Sequence, residues 1–405
     1  MKSFKFAILS VLRNRRRTFA TILITAVGTA AILIGGGFAL YTYESLREMA
    51  ARDNGHIILA HAGYFDQHEE TPLEFGLSRQ AEITRQLIQD SRIRAVLPRL
   101  EFTGLITNGD LSTVFIGNGV KQGEFKVKGP FFTVNSGATL SRIPAEQADP
   151  QVMIGSGLAK ILNAKTGDAL TLLSTTVEGA LNAQDVVVQG IFTMGTPEID
   201  KRILLTSLDT AQQLLLTDKV STLSAYLYDT EKTDEVALDI ARKYPALSQQ
   251  TWLDQAFYYL SVRGLYNRIF GLMGIIILAI VFFAISNTMS MSVIERTREI
   301  GTLRAMGAHG REVVRGFVQE ASVIGVAGIT LGVLIGLGAA LFLYLAGLEM
   351  PPPPARSQGY PLVINIDAML YLTTMISILS LCMAAAWFSA RNAVKKPIVE
   401  ALAHV

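Results

Sequence analysis

The side chains best suited to chemistry in this 405-residue sequence are imidazoles and carboxylates gathered in its first quarter. Such groups can bind a transition metal when they converge on one point. The candidates are His56, His61, Asp66, His68, Glu69 and Glu70. The first two histidines are five positions apart, so on one strand their rings would face opposite sides. We therefore predict a solvated loop with scattered histidines here, with a metal site as the alternative.

Sequence motifs of the common catalytic sites are missing. There is no G-x-x-x-x-G-K-[ST] phosphate loop, so we do not expect the chain to bind ATP by that route. Neither H-E-x-x-H nor G-x-S-x-G occurs. We expect no catalytic residue, no metal and no cofactor on this chain.

A charged stretch, SVIERTREIGTLRAMGA at 292–308, stands between two almost purely apolar ones. A loop that only fixes membrane topology needs Lys and Arg alone. This loop also carries Glu295, Glu299 and Glu312. Its composition predicts a short helix held against the membrane as a docking surface for a soluble partner, and a topology-fixing loop is the alternative.

The predicted docking helix combines apolar and charged residues. The apolar side would come from Ile294, Ile300, Leu303 and Met306. Polar contacts would come from Glu295, Arg296, Arg298, Glu299 and Arg304. Two glycines, Gly301 and Gly307, indicate either a close approach of the backbone to a neighbouring element or a helix end.

The overall composition indicates a membrane protein. Half of the residues are hydrophobic and the mean hydropathy is +0.35. Only 17% are charged and the net charge is +2, so nothing suggests a nucleic-acid binder. The single cysteine, Cys382, excludes an intramolecular disulfide and a cysteine metal site.

Four apolar segments are each long enough to cross a bilayer, which takes about 20 residues in a helix. They predict an α-helical membrane protein with four transmembrane helices and a large extracytoplasmic mixed α/β domain between the first and the second. The predicted segments are a basic interfacial segment at 1–17, transmembrane helices at 18–43, 266–291, 317–347 and 368–390, an outside domain at 44–265, a charged cytoplasmic segment at 292–316, an outside loop at 348–367 and a cytoplasmic tail at 391–405.

The segments rich in lysine and arginine all fall on one side of these predicted spans. They lie before the first span, between the second and third, and after the fourth, whereas the loop between the third and fourth has only Arg356. Because positively charged loops stay in the cytoplasm, both termini and the charged stretch are expected there, with the large domain outside.

The N-terminus fits an uncleaved anchor better than a signal peptide, because its apolar part is long and no A-x-A-like site follows. One helical face of the first residues collects Phe4, Ile8, Val11 and Leu12. That spacing suits a short helix in the membrane interface, and a plain basic flank is the equal alternative.

The outside domain has the patterns of a mixed α/β fold. Strand-like apolar runs lie at 56–60, 100–106, 113–117, 152–155, 169–174, 186–192, 202–206 and 222–228, and helical patterns at 78–89, 156–164, 207–216 and 233–244. The tetrapeptide at 107–110, TNGD, is typical of a hairpin turn. The segment 251–270 reads as a helix leading without an obvious break toward the second span, which would make a rigid link.

The spans have almost no ionisable residues in their interiors, since Glu320 and Asp367 lie near the edges. This argues against ion-coupled transport and intramembrane hydrolysis. The third span has small residues at four-residue intervals: Gly328, Gly332, Gly336 and Ala340. Such a face allows close helix packing, either within the chain or at a dimer seam. The prolines at 351–354 predict a stiff outside loop, with substrate contact as the alternative.

Four segments carry a family resemblance. SVIERTREIGTLRAMGAHGREVVRGFVQEA resembles the coupling-helix signature of MacB/FtsX/LolC-type ABC transporter permeases. VMIGSGLAKILNAKTGDALTL and VVVQGIFTMGTPEIDKRILLTSLDTAQQLL resemble the family's periplasmic domain, and SARNAVKKPIVEALAHV resembles its C-terminal tail. Four spans with the large domain after the first also match the family plan.

The resemblance implies a separate cytoplasmic ABC ATPase, with ATP and Mg on that partner. ATP binding would bring two ATPases and two permeases together, the second permease being another copy or a paralogue. The ATPase-coupling residues would be Glu295, Arg296, Arg298, Glu299, Gly301, Leu303, Arg304, Met306, Gly307 and Glu400. MacB itself carries its ATPase on the same chain, so this arrangement is closer to the lipoprotein-releasing permeases and split-subunit efflux relatives.

The function that the resemblance implies is extraction or export of lipophilic cargo by movement of the periplasmic domains. Lipoprotein or lipid transfer and drug or peptide efflux both remain open, with a periplasmic carrier or adaptor and membrane lipid as further partners. The alternative is an FtsX-like signalling protein that regulates a periplasmic partner. The expected location is a bacterial inner membrane.

Overall fold

A computed structural model describes residues 15–66, 73–121, 123–129, 132–140, 150–351 and 359–394. The chain divides into two compact units. One, called here the helical unit, comprises Met1–Glu44, Ser261–Leu348 and Pro361–Val405. The other, called the sheet unit, comprises Ser45–Leu260 and Glu349–Tyr360. The predicted interfacial helix, the residues His68, Glu69 and Glu70, and positions 395–405 of the tail, which include Glu400, lie outside the described residues.

The elements are as follows. The α-helices are α1 (Arg15–Asn54), α2 (Gln80–Leu87), α3 (Glu124–Lys128), α4 (Ser156–Ile161), α5 (Pro197–Asp200), α6 (Leu208–Leu215), α7 (Thr233–Lys243), α8 (Trp252–Gln255), α9 (Phe257–Glu295), α10 (Thr297–Ala305), α11 (Gly310–Ala346) and α12 (Ala368–Val394). The strands are β1 (Ile57–His61), β2 (Ile93–Thr107), β3 (Ser112–Val120), β4 (Thr133–Gly137), β5 (Gln151–Gly155), β6 (Ala169–Thr175), β7 (Leu181–Thr193), β8 (Ile203–Ser207), β9 (Thr222–Leu227), β10 (Leu247–Thr251), β11 (Glu349–Met350) and β12 (Tyr360–Pro361).

Within the described residues, four helices are long and apolar enough to cross a membrane. They lie at Arg16–Asn54, Tyr259–Glu295, Gly310–Ala346 and Ala368–Arg391. A mixed α/β unit lies between the first two of them in the chain. The predicted fold class is therefore confirmed.

The ends of the long helices follow local sequence signals. A capping box between His309 and Glu312 begins α11, because each residue bonds the other's backbone N–H. Gly347 ends the same helix with φ +59°. Glycine enters this left-handed region without the strain that a Cβ would cause, so it is a common helix stop.

The predicted unbroken helix over 251–270 is wrong at Ala256. Thr251 and Asp254 form a capping box that begins the short α8. Ala256 then leaves helical geometry at ψ 45° before α9 starts at Phe257. From that residue one helix continues to Glu295.

Apart from the separate two-stranded pair of β11 with β12, strands β1 to β10 form one large mixed sheet. Their order is β10-β1-β9-β2-β3-β8-β5-β7-β4, and β6 pairs with β2 and β7. Every predicted strand-like run and helical pattern falls on an observed element. The predicted turn at 107–110 joins β2 to β3, where Thr107 pairs with Ser112 and Gly109 takes φ +97°.

Two strands of this sheet have no apolar run in the sequence. They are β4, TVNSG, and β10, LSQQT, and they occupy the two ends of the strand order. An end strand packs against one neighbour only, so its side chains stay partly exposed and polar residues are tolerated. The sequence prediction missed both for this reason.

The core of the sheet unit lies between the sheet and its helices. It collects buried aliphatic residues from β1, β2, β5 to β9 and the helices α4, α6 and α7. Helix α6 packs closely on β3, because a Cβ at Gly119 would lie 2.6 Å from the Cβ of Ala211. Glycine at this position therefore sets how near the helix can approach the sheet.

Candidate coupling site

The charged stretch forms a bend followed by a short helix. Helix α9 ends at Glu295, and α10 begins at Thr297. Arg296 lies between them with φ −104°. The Thr297 hydroxyl donates to the carbonyls of Val293 and Ile294, at 3.1 and 2.8 Å. These bonds satisfy carbonyl groups that a helix end leaves without intrahelical partners, so the threonine fixes the bend.

The apolar residues of this segment do not share one face. Ile300 is buried and packs with Val293, Phe317 and Ala390. Three others point to the surface, with exposed fractions of 54% for Ile294, 46% for Leu303 and 72% for Met306. Ile300 and Val293 therefore fasten the bend by burial, whereas Ile294, Leu303 and Met306 stay exposed.

The charged residues expected to contact a partner are mostly on the same outer surface. Glu295, Arg298 and Glu299 are exposed, as is Gly307, and Arg304 is half-buried. Gly301 is buried beside Ile300. The exposed surface of the bend and α10 thus mixes acidic, basic and apolar groups, which is the composition of a protein-docking surface with a polar rim.

Two ion pairs hold the bend. Arg17 of α1 forms a bidentate pair with Glu295, at 2.6 and 3.1 Å. Arg296 reaches the carboxylate of Glu320 on α11 at 3.1 Å. The sequence analysis placed Arg17 in a basic flank and Glu320 at a span edge, and it assigned no partner to either.

The small-residue face of α11 packs on α1. A Cβ at Gly328 would lie 2.6 Å from the Cβ of Thr25, and one at Gly332 would lie 2.6 Å from the Ala26 carbonyl oxygen. A Cβ at Gly336 would lie 3.5 Å from the Cβ of Leu33, which is an ordinary van der Waals contact. Ala340, the fourth residue of this face, is buried. Within the described residues, the first span thus covers the glycines at 328 and 332.

Threonines supply the other half of that interface. Thr21, Thr25 and Thr29 are almost fully buried. Each donates its hydroxyl to the carbonyl four residues earlier, so the polar group is satisfied inside its own helix. Their four-residue spacing matches that of the glycines, a signal that the sequence analysis did not use.

A cluster of hydroxyls joins α9 to α12 and α1. Ser389 lies 3.2 Å from the Ser286 hydroxyl and 3.1 Å from that of Ser290. Thr288 lies 2.9 Å from Thr21. Hydrogen bonds between apolar helices help to specify which helices pack together.

The histidine candidates are separated in the sheet unit. His56 is buried, 3.0 Å from the Thr230 hydroxyl, and accepts a bond from the Leu227 N–H. Burial lowers the pKa of His56, although Glu48 and Asp229 oppose the shift. His61 is exposed. Among the described residues, no group of three metal-ligating side chains converges.

The sheet unit buries an ion cluster that the sequence analysis missed. Arg99 of β2 and Lys128 of α3 both contact Oε1 of Glu124, each at 2.6 Å. Burial favours the neutral form of Glu124, but the two cations hold its pKa below the usual range. Burial and the nearby Arg99 lower the pKa of Lys128 to about 8.

Family comparisons agree with both units. Residues 18–243 match the MacB-like periplasmic core domain, and residues 271–398 match the FtsX-like permease C-terminal region. The first match alone covers more than half of the chain. The chain belongs to the MacB- and FtsX-type family of ABC transporter permeases.

Individual relatives of this permease have low sequence identity to it over most of the chain. It is 26% identical over 345 residues to the lipoprotein-releasing system transmembrane protein LolE of Haemophilus influenzae, covering 80% of this chain and 79% of that protein. It is 24% identical over 368 residues to LolC of Neisseria meningitidis, covering 84% and 85%. A 66-residue stretch is 44% identical to the macrolide export ATP-binding/permease protein MacB of Brucella abortus, covering 16% of this chain and 10% of that protein.

Among solved structures, the periplasmic region of MacB from Actinobacillus actinomycetemcomitans is similar to the permease. The TM-score is 0.36 and the sequence identity is 13%, with 51% of this chain and 94% of that one covered.

Proposed function

We propose that this permease is one subunit of an ABC transporter whose separate cytoplasmic ATPase docks on α10. The observation that supports this most is the outer surface of the bend and helix. Exposed Ile294, Leu303 and Met306 lie there among exposed Glu295, Arg298 and Glu299. A solvated loop that only fixed topology would have no reason to expose three large apolar side chains within one short segment.

The proposed assembly contains two permeases and two ATPases, with ATP and Mg held by the ATPases. Both termini and α10 would face the cytoplasm of a bacterial inner membrane, and the sheet unit would face the periplasm. The alternation of Lys and Arg along the sequence supports this orientation. Nucleotide binding would then move α10, and the spans would pass that movement to the periplasmic domains.

The proposed cargo is lipophilic, and transfer of lipoproteins or lipids is the class that we favour over drug or peptide efflux. The support is the extent of the matches, which cover 79% of LolE and 85% of LolC but 10% of MacB. A periplasmic carrier would receive the cargo. The alternative function is an FtsX-like role in regulating a periplasmic partner. The experiment must be able to distinguish the two.

The test is affinity purification of the full chain from native membranes with crosslinking, followed by mass spectrometry. We expect an ATPase with a phosphate-binding loop, together with a lipid-modified protein or its carrier. A Glu299→Lys variant should insert normally and recover much less ATPase, because the charge is reversed on the docking surface. Recovery of a cell-wall hydrolase without lipophilic cargo would instead support signalling, and absence of any ATPase would refute the transporter proposal.

A further inference from the structure

Neighbouring residues at the bend are tied to different helices of the helical unit. Glu295 receives the bidentate contact of Arg17 on α1. Arg296, the next residue, contacts Glu320 on α11. The start of α10 is therefore held between the first and third spans by opposite charges on consecutive residues.

The two ties differ in their access to water. The side chains of Arg296 and Glu320 are only 13% and 10% exposed, against 30% and 38% for Arg17 and Glu295. Removing one member of a buried pair leaves an uncompensated charge, which is strongly unfavourable. An exposed pair can separate and be solvated with little loss. The link to α11 is thus the durable one, and the link to α1 is exchangeable.

Apolar packing strengthens the durable link. Ile300, one turn into α10, is buried against Val293, Phe317 and Ala390. Phe317 lies on α11, three residues before Glu320, so the isoleucine and the ion pair hold α10 to the same end of one span. The outer surface of α10 stays open for docking.

We propose that Arg296 and Glu320 are positioning residues that fasten α10 to the third span, so that a displacement of α10 moves that span with it. The pair Arg17–Glu295 is the tie that opens and closes. The inference rests on the proposed function, because it assigns how a docking event on α10 reaches the membrane helices. Glu320 is buried, so it acts through Arg296 and not by touching the ATPase.

The first experiment needs only the full-length permease in lipid nanodiscs. Spin labels are placed on exposed positions at the two ends of the proposed rigid element, with Thr302→Cys on α10 and Leu345→Cys on α11, in a Cys382→Ala background. We expect one narrow distance distribution. Glu320→Gln should broaden it, whereas the isosteric control Glu44→Gln, at an exposed position on α1, should leave it unchanged.

The second experiment adds the ATPase recovered from native membranes. Glu320→Gln should bind the ATPase within about twofold of the unchanged permease, because the docking surface is intact. ATP-driven cargo release should fall by roughly threefold to thirtyfold, the range expected when a residue inside a coupling network is altered. The charge-reversed pair Arg296→Glu/Glu320→Arg should recover the narrow distribution and much of the release, which a merely structural role for one glutamate would not predict.

The outcomes separate the two proposals. If the unchanged permease binds no ATPase, the proposed function fails, and the label distances still decide whether α10 and α11 move together. A Glu320→Gln variant with a narrow distribution and full cargo release overturns the inference even when the ATPase binds. If that variant does not insert, the charge-reversed pair decides: recovery supports the fastening, and a broad distribution in a correctly inserted protein contradicts it.

Discussion

The helical unit and the sheet unit both bury charged side chains, but they compensate the charge differently. In the helical unit, Arg296 meets Glu320 as one cation with one anion. In the sheet unit, Arg99 and Lys128 share a single oxygen of Glu124. The first group is a one-to-one pair, whereas in the second two cations share one carboxylate oxygen.

The difference bears on what each group can do. A buried pair of opposite charges holds two elements together and suits the transmission of movement. The sheet cluster leaves Oε2 of Glu124 and the hydroxyl of Tyr226 buried without a hydrogen-bond partner in the described structure. Burial of such groups is unfavourable, so the cluster should respond strongly to changes in charge. Four substitutions test how each unit is held together.

The largest expected effect is loss of the shared anion in the sheet unit. Glu124→Gln removes the buried carboxylate that Arg99 and Lys128 share, and we expect about 3–5 kcal/mol of destabilisation. Hydrogen exchange of the β2 and β3 amides in the detergent-solubilised full chain measures it. The matched control is Glu198→Gln, which removes one partner of the exposed Lys201 pair and should change little. Equal protection in both variants would show that the buried cluster contributes no stability.

Burial of Lys128 beside Arg99 predicts a pH dependence of the same unit. Lys128 has a pKa of about 8 in the folded chain and 10.5 as its ordinary value. Below pH 8 both the folded and unfolded states hold the proton. The free-energy cost of burying the charged Lys128 therefore does not change with pH in this range. Between these two values the unfolded state binds more protons, so stability should rise with pH, by up to about 3 kcal/mol.

The measurement compares the unchanged chain with Lys128→Met over this pH window. Subtracting the two stability profiles removes the titration of distant groups. We expect the unchanged chain to gain stability relative to the variant as the pH rises. A flat difference, or one of opposite sign, would mean that Lys128 keeps its ordinary pKa.

How much of this could be read from the sequence depends on the range of the interaction. Continuous apolar residues predict buried strands such as β5 and β9. The local composition around Gly109 predicts the turn there. The end strands β4 and β10 carry no such pattern. A continuous apolar run indicates burial on both faces of a strand. The side chains of β4 and β10 stay largely exposed or half-buried, so these strands need no such run.

The candidate site shows the same limit. The charged helix was evident because its residues are consecutive, and the glycine face because of its four-residue spacing. The partners were not evident, since Arg17 and Glu295 are 278 positions apart. Nothing in local composition specifies which distant carboxylate an arginine meets. The pairing depends on how the spans pack.

The third substitution tests that packing. In Gly332→Leu the new side chain meets the Ala26 backbone and the Thr29 side chain, and backbone cannot move aside easily. Overpacking of this kind costs about 1–3 kcal/mol or more. The matched control is Gly338→Leu on the same helix, where no atom lies within 4 Å of an added Cβ.

Thermal unfolding of both variants in detergent gives the comparison. We expect a lower midpoint for Gly332→Leu and little change for Gly338→Leu. If instead the second variant alone loses function or assembly, the partner-facing surface of α11 would be at Gly338, and the face at Gly332 would tolerate bulk.

The smallest effect is expected at the exposed pair of the bend. Arg17→Gln removes the bidentate contact with Glu295, and an exposed pair of this type contributes roughly 0.2–1 kcal/mol. The contribution should shrink at high salt, because solvent-exposed charges are screened. A double-mutant cycle of Arg17→Gln with Glu295→Gln, at low and high salt, isolates the pairwise term from the loss of each side chain. A coupling energy as large as that of Arg296 with Glu320, and independent of salt, would mean that both ties are durable and that α10 is fixed to the first span as firmly as to the third.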